Sequence, residues 1–231
     1  MSEERLIATP HGEGRLVTDR ARRPFATLLL SHGAGGGIDA RDLEVLARCL
    51  PKQGVTVMRF EQPWRRAGRK VATAPATLDA GLRAAADAIR VRTPLIVGGR
   101  SAGARSAARS AKALGASGCL ALSFPLHPPG KPEKSRLDEL AGAGVPTLVV
   151  QGERDTMGRP EEFPDPMPAD VELGVVPDAD HGLAVPRSGA VTQEVALDIV
   201  VETVLEWIVR EIAGSDGGSA RGSTAGNASR R

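Results

Sequence analysis

Hydrophobic and polar positions change period repeatedly along this chain. Short runs rich in apolar and β-branched residues occur at Phe25–Leu30, Val55–Phe60, Leu95–Gly98, Cys119–Phe124, Thr147–Gln151 and Val171–Val176. Runs of this length suit strands that are covered on both faces. Between them the apolar spacing lengthens to that of a helix. Leu43, Leu46, Ala47 and Leu50 share one face, with Asp39 placed ahead of them as a cap. Further helices are predicted around Ala80–Val91, at Ala102–Leu114 closed by Gly115, near Leu137–Leu140 and over Thr192–Ile212. The last carries Leu197, Val200, Val201, Val204, Leu205 and Ile208 on its apolar face. Residues 5–8 and 15–18 flank His11-Gly12-Glu13-Gly14 and predict an N-terminal hairpin. Alternating strands and helices predict an α/β domain with a mostly parallel sheet and helices on both faces. Sites in such sheets lie beyond the C-terminal strand ends. The loops after Leu30, Phe60, Gly98, Phe124, Gln151 and Val176 are therefore the places to look for chemistry.

Composition narrows this picture. The chain has 231 residues, enough for one globular domain over residues 1–213 plus a tail. The tail, Gly214–Arg231, is rich in Gly, Ser and Ala with no larger apolar side chain, so disorder is expected there. Three arginines against one aspartate in that tail account for the whole formal charge of +2. The body is then neutral. With no Tyr, four Phe and two Trp, it offers few stacking platforms, and no nucleic-acid partner is expected. No apolar stretch is long enough to span a bilayer, so no membrane partner is expected either. The acidic N-terminus lacks the apolar core of a signal peptide. Cys49 and Cys119 cannot build a disulfide framework or a four-ligand zinc site. These features read as a cytoplasmic, reduced protein without a metal site.

The loop after Gly98 reads Gly99-Arg100-Ser101-Ala102-Gly103, a G-x-S-x-G pattern. The pattern alone is weak. Its position after an apolar strand and before a helix is what a nucleophile elbow requires, with glycines relieving collisions in a tight, strained turn. A serine hydroxyl needs a base, and the base needs an orienting acid. His181 lies in Pro177-Asp178-Ala179-Asp180-His181 after the last strand, and Asp155 lies just past Gln151. The order Ser101, Asp155, His181 is that of a hydrolase triad carried on an open α/β sheet. Asp178, Asp180 and Glu153 are rival acids; the first two are too near His181 in sequence to reach its Nδ1 easily. Ser31-His32-Gly33-Ala34-Gly35-Gly36-Gly37 occupies the loop that supplies oxyanion donors in esterases. Ala34 and Ala102 N–H groups are the candidate donors, with Gly33 or Gly35 as the neighbouring options. His32 reads as a loop brace. No Walker-type phosphate loop is present, so nucleotide binding is disfavoured.

Together, SHGAGGGID, GGRSAGAR, LSFPLHPPGKP, QGERD and DADHGL resemble the bacterial branch of the KANL/Tex-type α/β-hydrolase-like family, related to dienelactone hydrolases. The resemblance covers about residues 5–212. It implies an α/β-hydrolase fold and a serine-hydrolase triad at Ser101, Asp155 and His181. Ala104 departs from it where Gly is expected. Only Pro125–Lys134 separate Phe124 from the next short helix, too few residues for a cap domain, so an open site for short ester substrates is expected. Trp64, Phe124 and His127 are the candidate substrate-binding residues. The Arg65–Lys70 cluster reads first as a solvated charge run. Arg100 has Glu61, Asp155 or substrate as possible partners. The resulting expectation is a cofactor-free serine hydrolase of small esters, with thioesters and lactones as neighbouring substrates. The other reading is an interaction domain that has kept the fold and lost turnover. Oligomeric state is not legible in the sequence.

Overall fold

A computed structural model describes residues 2–214. Eight strands form one sheet: β1 (Glu3–Thr9), β2 (Gly12–Asp19), β3 (Ala26–Ser31), β4 (Val55–Glu61), β5 (Leu95–Arg100), β6 (Gly118–Leu122), β7 (Thr147–Gly152) and β8 (Val171–Val176). Their order across the sheet is β1-β2-β4-β3-β5-β6-β7-β8. The β1–β2 and β2–β4 pairs are antiparallel, and every later pair is parallel. Thr9 faces Gly12 across a two-residue turn, so Glu13 and Gly14 belong to β2 and not to the hairpin loop. The predicted parallel sheet with covered faces is the one observed.

Among the described residues six α-helices accompany the sheet: α1 (Arg41–Cys49), α2 (Pro63–Arg66), α3 (Pro75–Ala88), α4 (Ala102–Ser110), α5 (Leu137–Ala141) and α6 (Gln193–Ile208). The strand period sorts the core into two layers. Leu29, Val97, Cys119 and Ala121 pack on one face with Leu82, Ala85, Ala104, Ala107 and Ala108 of α3 and α4. Leu28, Leu30, Ile96, Leu120 and Leu122 pack on the other with Leu43, Leu46, Val200, Val204 and Trp207 of α1 and α6. Neighbouring residues of one strand thus serve opposite layers. Ala104 is fully buried in the first layer, so its methyl is absorbed by packing.

Several boundaries differ from expectation. Asp39 does not cap α1. Ala40 holds the cap position with extended backbone and no side-chain cap bond. The turn closed by Ala40 N–H to Gly37 carbonyl leaves Asp39 outside the helix. Asp42 and Glu44 instead put acid in the first turn, where the helix dipole favours it. α3 starts earlier than predicted because Pro75 takes the first helical position, and it stops before Ile89, which is extended. After Ser110 the chain continues through hydrogen-bonded turns to Gly115, whose φ is 61°. α6 is capped by the Thr192 side chain, which accepts from Val195 N–H, and it gives way at Val209 to a wider turn. α2 was not expected; Pro63 opens it. Residues 123–136 contain no helix, so no cap domain enters between β6 and α5. No described helix is long and apolar enough to cross a membrane. The predicted disordered tail lies outside the described residues apart from Gly214.

Candidate active site

Parallel pairing brings the C-terminal ends of β3, β5, β6, β7 and β8 to one rim. At the end of β5 the chain turns so sharply that Ser101 takes φ 53° and ψ −112°, and its N–H donates to Leu122 carbonyl at 2.9 Å. Positive φ at a non-glycine residue costs about 1–3 kcal/mol and persists only where the surroundings enforce it. The enforcement here is close packing. A Cβ on Gly99 or Gly103 would collide with the main chain of Ser31, so both glycines are needed for α4 to lie against β3. Ala102 opens α4, and its N–H has no carbonyl partner within the helix.

The predicted residues meet at this rim. Ser101 Oγ lies 2.9 Å from Nε2 of His181. Nδ1 of His181 lies 2.8 Å from Oδ2 of Asp155, whose side chain is fully buried. Asp155 is held from two further directions. Its Oδ1 accepts Met157 N–H at 2.8 Å, and its Oδ2 accepts from Gln151 Nε2 at 2.9 Å. The same Gln151 nitrogen also donates toward the carbonyls of Phe124 and Gly158, and three surrounding acceptors fix the amide's orientation. The rival acids are engaged elsewhere. Glu153 accepts Asp178 N–H, Asp178 accepts Ala190 N–H, and Asp180 accepts the N–H groups of Gly182 and Ala184. They shape the loop that presents His181.

The glycine-rich loop also borders Ser101. A Cβ on Gly33 would sit 3.3 Å from both Ser101 Cβ and Arg100 carbonyl, so the loop backbone runs against the nucleophile. Ala34 follows, exposed. His32 is a brace, as expected. Its Nδ1–H donates to Gly33 carbonyl at 2.8 Å, and its Nε2 accepts Gln62 N–H at 3.0 Å. Burial pushes the His32 imidazole below its ordinary value, which fits this neutral tautomer. Gln62, which the sequence reading passed over, ties this loop to α3 by donating to Leu78 carbonyl.

The three expected substrate-binding side chains lie differently. Phe124 is fully buried in the core layer under α3 and α4, which corrects its assignment as a substrate-binding side chain. Its side chain turns into the core two residues past the end of β6. Trp64 is 4% exposed and packs beside the His32 ring, with centroids 5.5 Å apart. The cleft it lines, about 320 Å³, includes His11, Gln62, Arg69 and Thr77 but neither Ser101 nor His181. His127 is held by Pro128 carbonyl at 2.9 Å and Glu162 at 3.0 Å. Arg65, Arg66, Arg69 and Lys70 are exposed or half-buried at the surface, as a charge run should be. Neither foreseen acid pairs with Arg100. Glu61 is taken by Arg15 and Asp155 by His181.

A family model for the alpha/beta hydrolase domain matches residues 24–209. The chain belongs to that family. Among curated proteins none matches it in sequence. Solved α/β-hydrolases match it in shape. A lidless α/β serine hydrolase from Xanthomonas campestris is 22% identical, with 91% of this chain and 95% of the other covered at a TM-score of 0.70. Dienelactone hydrolase from Anabaena variabilis is 15% identical over 92% and 98%, with a TM-score of 0.71. Est1E from Butyrivibrio proteoclasticus is 15% identical over 89% and 99%, with a TM-score of 0.69. At these identities the likeness establishes the α/β-hydrolase fold.

Proposed function

We propose that this α/β-hydrolase is a serine esterase acting on small, accessible acyl esters. The observation that carries the reading is the continuous chain Ser101–His181–Asp155, with 2.9 Å and 2.8 Å links and a fully buried acid. Ser101 Oγ attacks the ester carbonyl carbon as its proton passes to His181 Nε2. Asp155 accepts from Nδ1 and steadies the imidazolium. The oxyanion is held by the N–H groups of Ala102 and of Ala34 or Gly33. Collapse breaks the bond to the alcohol oxygen, which takes the proton from Nε2. Water, deprotonated by the same nitrogen, then attacks the acyl-enzyme, and Ser101 recovers its proton on release of the acid. These steps call on side chains, backbone donors and water.

The stretch without helix between β6 and α5 supports an open site, and hence short acyl groups. Thioesters and small lactones present the same carbonyl chemistry and fall within the reading. SHGAGGGID, GGRSAGAR and LSFPLHPPGKP support a place in the KANL/Tex-type branch. The test is fluorophosphonate labelling and p-nitrophenyl acetate hydrolysis by wild type beside Ser101→Ala. Labelling and turnover are expected in the wild type and both are lost in the variant, at least about 10³-fold for turnover. Full esterase activity in Ser101→Ala would refute the assignment.

A further inference from the structure

Arg100 precedes the nucleophile, and the chemistry above makes no use of its side chain. Its Nη2 donates to the main-chain carbonyl of His181 at 2.7 Å. Its Nε stands 3.1 Å from Oδ2 of Asp42 on α1, a side chain with no exposure at all. The same guanidinium borders the glycine-rich loop: a Cβ on Gly33 would lie 3.7 Å from Nη1. One on Gly182 would lie 3.7 Å from Nη2. A single cation thus touches α1, the loop beside the nucleophile and the loop carrying the base.

The geometry of the pair is informative. Nε and Asp42 Oδ2 are close enough for an ion pair, yet neither atom has an aligned hydrogen bond. The bond to His181 carbonyl is the short, aligned one. The guanidinium is therefore oriented for the histidine loop and attracted to Asp42 by charge. Burial pushes the Asp42 carboxyl up, and the Arg100 cation is the largest influence pulling it back. A buried ion pair is poor evidence for stability by itself, because desolvation offsets much of the attraction. A positional role accounts for it better. The neighbouring ties, Arg154 N–H to Ala179 carbonyl and Asp180 N–H to Ala184 carbonyl, hold the two ends of the loop. Arg100 holds His181 itself.

We propose that Arg100, anchored by Asp42, is a positioning residue that fixes the His181 loop over Ser101. The proposal rests on the triad reading for its kinetic consequence and on loop geometry for its structural one. Arg100→Gln strands the buried Asp42, so the double variant Arg100→Gln/Asp42→Asn accompanies it, and Arg100→Lys tests partial rescue. With p-nitrophenyl acetate, kcat of the double variant is expected to fall about 10²-fold, the scale of a 1 Å misplacement, while KM changes less than about twofold. Amide hydrogen exchange over residues 179–184 should accelerate about tenfold or more, as loss of one charge-assisted hydrogen bond implies. Arg100→Lys keeps the charge beside Asp42 but loses the fork, and kcat should recover part of the way. Unchanged exchange over 179–184 in the folded double variant overturns the proposal whatever the activity. So does a rise in KM with kcat preserved, which would make Arg100 a substrate contact. Loss of the triad reading shows separately, as activity retained in Ser101→Ala, and the exchange measurement still decides the role of Arg100.

Discussion

Two histidine–carboxylate pairs stand at the same end of the sheet, and they are nearly identical in length. His181 meets Asp155 at 2.8 Å, and His127 meets Glu162 at 3.0 Å. The difference lies in the other ring nitrogen. Nε2 of His181 faces a hydroxyl, which can donate or accept, so a proton can leave and return along that line. Nδ1 of His127 faces Pro128 carbonyl, which can only accept. Acceptors stand on both sides of the His127 ring, and its imidazole is pushed above the ordinary value, the Pro128 bond being the largest cause. The acids differ as well. Asp155 has no exposure and two further donors, whereas the Glu162 side chain is 35% exposed. A histidine beside a carboxylate is thus no site until a third group gives the proton somewhere to go.

The largest expected effect follows directly. Asp155→Asn should lower kcat by about 10⁴-fold, the scale seen when the orienting acid of such a triad becomes an amide. Glu162→Gln, the matching change in the other pair, should alter kcat/KM by less than about twofold. Steady-state hydrolysis of p-nitrophenyl acetate by the two variants makes the comparison. Comparable losses would collapse it, and would place His127 in the reaction.

Why one pair was legible in the sequence and the other was not has a physical answer. Ser101, Asp155 and His181 each follow a strand, and parallel strands deliver their C-terminal ends to one rim, so element order sufficed to bring them together. The backbone demand of Ser101 is also written locally, in Gly99 and Gly103. Side-chain direction on the loops is not written that way. Phe124 lies two residues beyond β6 on the loop, and its apolar character alone does not say whether it faces the cleft or the core. The glutamate that locks His127 lies 35 residues further on, in the short helical turn Pro160–Glu162. The partner of Arg100 did leave a signal. Asp42 sits among Leu43, Val45 and Leu46 on the buried side of α1, and a charge in that position requires a counter-ion. The residue types that could answer it were many, and only the fold selects Arg100.

Smaller effects separate His127 from the other buried histidine, His32. His32 is 2% exposed and neutral, with one nitrogen donating and one accepting. His32→Leu should cost about 1–3 kcal/mol near pH 8, because Gln62 N–H loses its buried acceptor. Burial depresses the folded value of His32 below 6.5, so the unfolded chain binds its proton first as pH falls. The stabilisation from His32 is present above pH 6.5 and declines as pH drops toward the depressed value. Urea midpoints of wild type and His32→Leu should therefore converge on acidification. A gap that widened at low pH would mean that His32 is held as a cation.

The His127–Glu162 pair should behave in the opposite sense and more weakly. His127 has a raised folded value, so its contribution is fully present below pH 6.5 and is lost as pH rises through that raised value. Glu162 is pulled below its ordinary value of 4.5, first by Arg159 N–H and then, against burial, by His127, so its charge persists into mild acid. The pair is then worth most between those limits, near pH 5.5. Solvent reaches Glu162, which keeps the gain at or below about 1 kcal/mol. The urea midpoint of Glu162→Gln should trail wild type at pH 5.5 and approach it at pH 8.5. A difference that did not shrink between pH 5.5 and pH 8.5 would mean that the pair does not draw on the His127 charge, and would remove the distinction between the two pairs.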